Sequence, residues 1–314
     1  MTRKLFPFVL FFFAFSCQNM SGGGAQKESD GASLSSSLNQ PVVVTTEDSL
    51  VHTRLVEKAN EEQFEQMPLS EVIVQVAGQF YGQPYVAHTL ETDGEEQLVV
   101  NLREFDCTTY VENVLALSFC FKSGQTDFTD YLEMLRKLRY RDGIIDQYPS
   151  RLHYFSEWLA DNQEKGLVKI VSNDLGDKKF DARVDFMTEN RDRYDQLAEN
   201  DVFVNEMAQA EDRISEYDLK YISANRLEEV SPKIKSGDII AFCSSIDGLD
   251  VTHTGFAVHT DDGLYFAHAS LGGEKVMLSD VRLKTYIENR DNVYGILVGR
   301  PQLSFLKDDM KGQK

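Results

Sequence analysis

The chain has 314 residues, which is enough for one large domain or two small ones. Apolar residues make up 42% and charged residues 26%, as in soluble globular proteins, so a core can form without disulfides or metals. The formal net charge of −19 would repel a phosphate backbone, which argues against nucleic acid as a partner.

The first residues have the pattern of an export signal. Two basic residues precede an almost wholly apolar run, Leu5 to Phe15, that is too short to span a bilayer. Small residues then lead to Cys17, as in bacterial lipoprotein signals. We therefore expect residues 1–17 to be a signal that leaves Cys17 acylated and the protein anchored in the cell envelope, on the periplasmic side or at the outer membrane. The alternative is an ordinary secretory signal in which Cys17 is incidental.

Composition and periodicity divide the rest of the chain. Residues 18–46 are rich in Ser and Gly and predict a flexible tether, followed by a single domain over 47–314. The charged segment 173–220 carries no chemical motif and is predicted to be a mostly helical, solvated insertion or cap. Helical patterns occur at 49–63, after Pro68, at 107–121, 128–140 and 151–165, and a short strand is predicted at 97–102.

The last third of the chain changes character. Short runs typical of strands occur at 238–243, 253–259, 264–270, 275–278 and 293–298. Helical material followed by consecutive strands predicts an α+β fold with an antiparallel sheet.

Cys107 is the candidate nucleophile. It follows a turn and begins a long apolar helix, where unpaired N–H groups and the helix dipole would favour a thiolate and an oxyanion. If Cys17 is acylated, three cysteines remain, so at least one is unpaired. The alternative is that Asp106 is a simple N-cap and Cys107 is inert. Cys120 and Cys243 have the context of small buried hydrophobic residues, and whether they pair stays open.

A predicted hairpin supplies the base. A turn at Thr260 to Gly263 would place Gly255 opposite His268, so that His253 and His268 share a face about 7–8 Å apart or closer. The small residues on that face would let a helix carrying Cys107 approach it. A slip of one residue would separate the two histidines. His259 is expected to be a solvated strand end.

Other chemistries are disfavoured by the motifs. The chain has no Cys-x-x-Cys pair, no His-Glu-x-x-His run and no Gly-x-Ser-x-Gly elbow, so neither a metal, a cofactor nor a serine nucleophile is expected.

Several segments resemble one enzyme family. The Asp106-Cys107 helix start, the His253-Thr254-Gly255 strand and the strand around His268 resemble the NlpC-type papain-like cell-wall cysteine hydrolases. More narrowly, the segments 81–85, 98–102 and 151–158 are similar to their N-acetylmuramoyl-L-alanine amidase-like branch, common as lipoproteins in Bacteroidetes. The resemblance covers roughly residues 69–302.

This resemblance implies a papain-like α+β fold whose central, cysteine-bearing helix packs on the sheet. It implies Cys107 as nucleophile, His253 as general base and His268 as the orienting residue, with Tyr85 lining the site. The substrate would be peptidoglycan or a muropeptide, cut between N-acetylmuramic acid and L-alanine by a monomer. A γ-D-glutamyl stem-peptide endopeptidase and a catalytically idle envelope-binding lipoprotein are the alternatives.

Three further residues are candidates for substrate binding. Tyr154 and Trp158, spaced i and i+4, could stack on a sugar ring if exposed; core packing is the alternative. Asp106 could hold the N-terminal ammonium of a free stem peptide.

Overall fold

The computed structural model describes residues 41–92 and 94–303. The helices are α1 (Thr46–Glu61), α2 (Leu69–Gln79), α3 (Cys107–Ser123), α4 (Phe128–Arg139), α5 (Phe155–Glu164), α6 (Ser172–Leu175), α7 (Phe186–Glu189), α8 (Asp195–Ala198), α9 (Asp201–Ser215), α10 (Leu227–Val230) and α11 (Leu283–Glu288). The strands are β1 (Val42–Val43), β2 (Leu98–Val99), β3 (Val168–Ile170), β4 (Lys178–Lys179), β5 (Lys220–Ser223), β6 (Ile239–Ser244), β7 (Val251–Thr260), β8 (Gly263–Ser270), β9 (Lys275–Leu278) and β10 (Val293–Pro301). No helix in these ranges is long and apolar enough to cross a membrane.

An eight-stranded sheet forms the scaffold. Its strands run in the order β4-β5-β10-β6-β7-β8-β9, and β3 pairs with the far end of β10. Every pairing in this sheet is antiparallel. The predicted α+β class and antiparallel sheet are confirmed.

Helix α3 is the central helix. Asp106 caps its start by accepting a hydrogen bond from the Thr109 N–H at 2.8 Å, while the Thr109 hydroxyl accepts one from the Asp106 N–H. Gly124 ends the helix with φ of +71°, a left-handed conformation that glycine adopts without strain. Every residue from Thr109 to Phe121 is buried, which confirms the predicted all-round burial.

The two faces of the sheet pack against different helices. One face joins the large cluster of α2 to α5, where the Phe256 ring meets Tyr110 of α3 edge-on. The other face, which includes Ala257 and Phe266, packs under α10 and α11. This alternation follows from the period of two along each strand.

The ordered fold begins earlier than the sequence predicts. Strand β1 pairs with β2, and Thr45 caps α1, so residues 42–46, which the prediction assigned to the tether, are part of the fold. The proposed signal and Cys17 lie outside the described residues.

The charged segment 173–220 is not simply a helical cap. It contains α7, α8 and α9, but β4 and the start of β5 join the sheet. Its helices have their own apolar cluster, which includes Met187 and Leu197. The prediction of helices is right in part, and the expectation of a merely solvated segment is wrong.

Candidate active site

Cys107 is the first residue of α3. The Thr254 N–H of β7, the Thr108 hydroxyl and the N–H of Cys107 itself lie close enough to its thiol to lower the pKa. The cap uses the Thr109 N–H, and no hydrogen bond from the Thr108 N–H is found within the described chain. The helix start therefore holds the sulfur against β7 and leaves a backbone donor beside it.

The environment of the thiol differs from the one predicted. Burial, and secondarily the Asp106 carboxylate, raise the pKa of Cys107 to about 12. The hydrogen bonds from Thr254 and Thr108 lower it, but by less. Desolvation therefore opposes the effect of the helix N-terminus at Cys107 and favours the neutral thiol, and a thiolate at this position stays a prediction.

The hairpin has the predicted register. Thr260 pairs with Gly263 and Phe256 with Ala267, which places His253 and His268 on one face as expected. The His253 Nε2 lies 2.6 Å from the His268 Nδ1, a hydrogen bond between the two rings. The expectation that His253 and His268 meet on this hairpin is confirmed, and their catalytic roles stay a prediction.

Both histidines are neutral at physiological pH. Burial, then the charges of His268 and Arg290, hold the pKa of His253 well below 6.5. Burial and Arg290 lower the pKa of His268 to about 4. A neutral imidazole can accept a proton from the thiol, which is the form that a general base requires.

The helix on the histidine face is not the predicted one. His253 and His268 contact the ring of Tyr286 from α11, with centroids 6.3 and 5.8 Å apart, whereas α3 packs on the opposite face. A Cβ on Gly255 would lie 3.0 Å from the His268 Cβ, so the small residue makes room for the histidine and not for a helix. Cys107 lies where the start of α3 meets β7.

A β-bulge precedes His253. Phe242 pairs with His253 but Cys243 pairs with Val251, so β7 carries an extra residue at Thr252. Such bulges redirect the neighbouring side chain and are common beside active sites. The preceding carboxylate, Asp250, anchors this end of the strand.

Asp250 connects β7 to α5. Its buried carboxylate accepts hydrogen bonds from the Ser156 N–H at 2.7 Å and from the Ser156 hydroxyl at 2.6 Å. Helix α5 has no side-chain cap of its own, so Asp250 supplies that cap from 94 residues away. The contact fixes α5 relative to the strand that bears His253.

One cavity of about 480 Å³ contains both Cys107 and His253. Its walls come from five parts of the chain: the segment before β2, the start of α3, residues 148–155, the charged segment 173–220, and residues 249–254 at the start of β7. The residues that sequence reasoning missed here are His88, Glu91, Tyr148, His153, Phe186, Met187, Arg193, Tyr194, Asp195, Gln196 and Asp250. A local pattern cannot identify them, because only tertiary packing brings these parts of the chain together.

The family model described as AmiA-like, N-acetylmuramoyl-L-alanine amidase-like, matches residues 75–296. The chain belongs to this family. It is similar to the structure of an N-acetylmuramoyl-L-alanine amidase from Bacteroides uniformis ATCC 8492, with 35% identity, a TM-score of 0.72, and coverage of 75% of this chain and 99% of that one. The fold is also that of a Legionella pneumophila protein of the family model DUF1460, at 19% identity and TM-score 0.61, over 82% and 96% of the two chains. A search of curated proteins gave no match.

Two of the expected substrate contacts in this amidase-like chain are overturned or altered. Trp158 is fully buried and stacks on Phe155, so it offers no surface to a sugar; the alternative of core packing is right. Tyr154 is the N-cap residue of α5: its carbonyl oxygen accepts the Trp158 N–H at 2.9 Å, as the predicted i and i+4 spacing requires, but its own backbone is extended. It is nevertheless part of the cavity wall, and its hydroxyl donates to Glu211.

Tyr85 and Asp106 lie next to Cys107 but outside the cavity lining. Tyr85 forms a bridge with Phe105, and its pKa is raised by burial and by the nearby Cys107 and Asp106. The Asp106 carboxylate caps α3, as the alternative interpretation held. A substrate contact for either residue stays a prediction.

The cysteines within the described residues are all free. Cys120 and Cys243 are buried in the core, and Cys107 is partly exposed. The question of a disulfide between Cys120 and Cys243 is thereby answered, and Cys107 is the accessible thiol.

Proposed function

We propose that the protein is a cysteine amidase that cleaves the bond between N-acetylmuramic acid and L-alanine in peptidoglycan fragments. The observation that carries the proposal is the shared cavity of Cys107 and His253, with His268 hydrogen-bonded to the Nε2 of His253. The amidase-like family supports the choice of bond. The arrangement is papain-like, with a helix-borne thiol beside a strand-borne histidine.

The mechanism follows from the neutral groups. The mechanism requires the tautomer in which the His253 Nε2 carries the proton and donates it to the His268 Nδ1 across the 2.6 Å contact. The His253 Nδ1 is then unprotonated and accepts the thiol proton as the sulfur attacks the amide carbonyl. The Thr108 N–H stabilises the oxyanion. The imidazolium then protonates the leaving amine, and water, deprotonated by the same imidazole, hydrolyses the thioester and regenerates the thiol.

Mass spectrometry of defined substrates tests this function. N-acetylmuramoyl-L-alanyl-D-isoglutamine should yield N-acetylmuramic acid and the dipeptide with the wild-type protein, and nothing with Cys107→Ser. Release of L-alanyl-D-glutamate from free stem peptides, with muramoyl peptides intact, would establish the endopeptidase instead. If the protein binds the muramoyl peptide or the free stem peptide but cleaves neither, the result would favour a catalytically idle envelope-binding protein.

We also propose that Cys17 is acylated and holds the protein in the cell envelope. The polar stretch between Cys17 and β1 would act as the tether. Cys17→Ser removes the proposed acylation site, so it should release the protein from the membrane fraction or block its processing. Stable anchoring needs more than one acyl chain, and none would remain at this position. Wild-type protein found wholly unmodified in the soluble fraction would overturn this assignment.

A further inference from the structure

A third histidine lies in the wall of the catalytic cavity and has no part in the mechanism above. The His153 Nε2 lies 2.9 Å from the carbonyl oxygen of Tyr148. Because a carbonyl oxygen only accepts, Nε2 must carry the proton. The neutral ring therefore presents an unprotonated nitrogen, Nδ1, as an acceptor.

The acceptor is held in place and kept neutral. The His153 ring packs on the Tyr148 ring with centroids 4.3 Å apart. Arg151, which lies between these residues in the sequence, forms ion pairs with Glu91 and Glu96 at 2.8 Å each. Burial, and then the charge of Arg151, lower the pKa of His153 to about 3. The ring thus keeps one tautomer and one orientation throughout the neutral range.

The lone pair of Nδ1 is unused within the described chain. The Tyr148 contact is the only hydrogen bond of His153 there, and Nδ1 is not among the polar atoms sealed in the interior. Since His153 lines the cavity that holds Cys107, a bound ligand can reach this nitrogen. A fixed acceptor without a partner, beside a nucleophile, has the features of a recognition group.

We infer that His153 is a substrate-binding residue whose Nδ1 accepts a hydrogen bond from an amide N–H or a sugar hydroxyl of the muramoyl peptide. The inference rests on the proposed amidase function and deepens it, since Cys107, His253 and His268 act on the carbonyl alone. His153 selects among amides by contacting a group beside that carbonyl.

Two substitutions separate the two ring nitrogens. His153→Gln keeps a donor near the Nε2 position for the Tyr148 carbonyl but removes the Nδ1 acceptor. His153→Asn keeps an acceptor near the Nδ1 position and loses the other bond. The matched control is His259→Gln, because the His259 Nε2 contacts the Ile234 carbonyl at 2.7 Å in the same way but outside the catalytic cavity.

Calorimetry in the Cys107→Ser background measures binding of N-acetylmuramoyl-L-alanyl-D-isoglutamine without turnover. His153→Gln should weaken binding about 3- to 10-fold, the effect of one lost hydrogen bond. His153→Asn should recover most of the affinity, and His259→Gln should change it by less than about twofold. Thermal melting of each variant checks that the fold is intact.

A second probe identifies the donor. N-lactoyl-L-alanyl-D-isoglutamine keeps the scissile amide but lacks the sugar. If the penalty of His153→Gln persists with this probe, the donor is an amide N–H; if it disappears, the donor is a sugar hydroxyl. Equal affinity of the folded His153→Gln variant and its parent for the muramoyl probe would overturn the inference alone. Failure of the parent to bind that probe would overturn the amidase proposal, and the inference would fall with it.

Discussion

Adding a single methyl group at Gly255 should disturb the proposed catalytic geometry much more than it destabilises the fold. Gly255 lies on β7, two residues after His253, beside the backbone of the neighbouring strand β8. A Cβ built there would lie 2.4 Å from the Ala267 carbonyl oxygen and 3.0 Å from the His268 Cβ. Real Cβ contacts essentially never fall below 3.0 Å, so β8 must move by at least the 0.6 Å difference.

The size of the effect follows from that movement. Forcing a methyl group into a packed site costs about 1–3 kcal/mol, which for a domain of this size lowers the Tm by roughly 2–12 °C. Because the displaced Ala267 adjoins His268, the movement stretches the 2.6 Å contact between the histidines. A displacement of about 1 Å at a catalytic group costs on the order of 100-fold, so kcat/KM for Gly255→Ala should fall about 10- to 100-fold.

The assay combines melting with kinetics measured well below the Tm, where the variant is folded. Gly272→Ala is the matched control, because a Cβ there would meet nothing within 4 Å and its backbone is not left-handed. The control should behave as wild type in both measurements. A Gly255→Ala protein with unchanged Tm and kcat/KM would refute the reasoning, as would equal losses in the control.

Three further predictions concern charge. Arg290→Gln should move the acid limb of the kcat/KM profile to higher pH, since Arg290 lowers the pKa of His253 and without it the base protonates earlier as the pH falls. Iodoacetamide should modify Cys107 and spare buried Cys120 in the native protein, at a rate that rises about tenfold per pH unit from pH 7 to 9, because the pKa of Cys107 is raised to about 12. Burial lowers the pKa of His52 to about 4, so the unfolded chain binds more protons between pH 6.5 and 4, and up to about 3 kcal/mol of stability is lost as the pH falls through that window. Melting at pH 7 and pH 4 should show a smaller difference for His52→Leu than for wild type.

Specific outcomes would contradict these three predictions. Arg282→Gln removes an exposed arginine that pairs with Asp262, and it should leave the pH profile unchanged; an equal shift there would mean that net charge alone is responsible. A plateau in the alkylation rate near neutral pH would indicate a thiolate paired with an imidazolium. Identical pH sensitivity of melting in wild type and His52→Leu would exclude His52 as a source of acid instability.

Local sequence patterns were sufficient to predict features that depend on nearby residues. The turn residues at 260–263 set the hairpin register, and the register alone brought His253 and His268 together. The apolar run after Cys107 predicted a helix buried on all sides, and burial is what the structure shows.

Properties that depend on packing were not predictable in this way. The helix dipole suggested a thiolate at Cys107, but the desolvation that raises its pKa comes from elements distant in sequence. The pattern on β7 identified which residues share a face and gave no means of telling whether α3 or α11 covers it. The sequence around Trp158 does not indicate whether its side chain is buried or exposed, and the structure shows that it is buried.

The charged segment 173–220 contains no chemical motif, and what it contributes to the site is part of the cavity wall. The Tyr154 hydroxyl donates to Glu211 at 2.7 Å and accepts from the Met187 N–H at 2.8 Å, while Thr188 donates to both oxygens of Glu211. Glu211 is 3% exposed, and a carboxylate so buried is stable only when such partners surround it. The network therefore locks the segment against the start of α5 at the rim of the cavity. A wall held this firmly can discriminate between substrates by shape, which the proposed catalytic groups, acting on any amide carbonyl, cannot do.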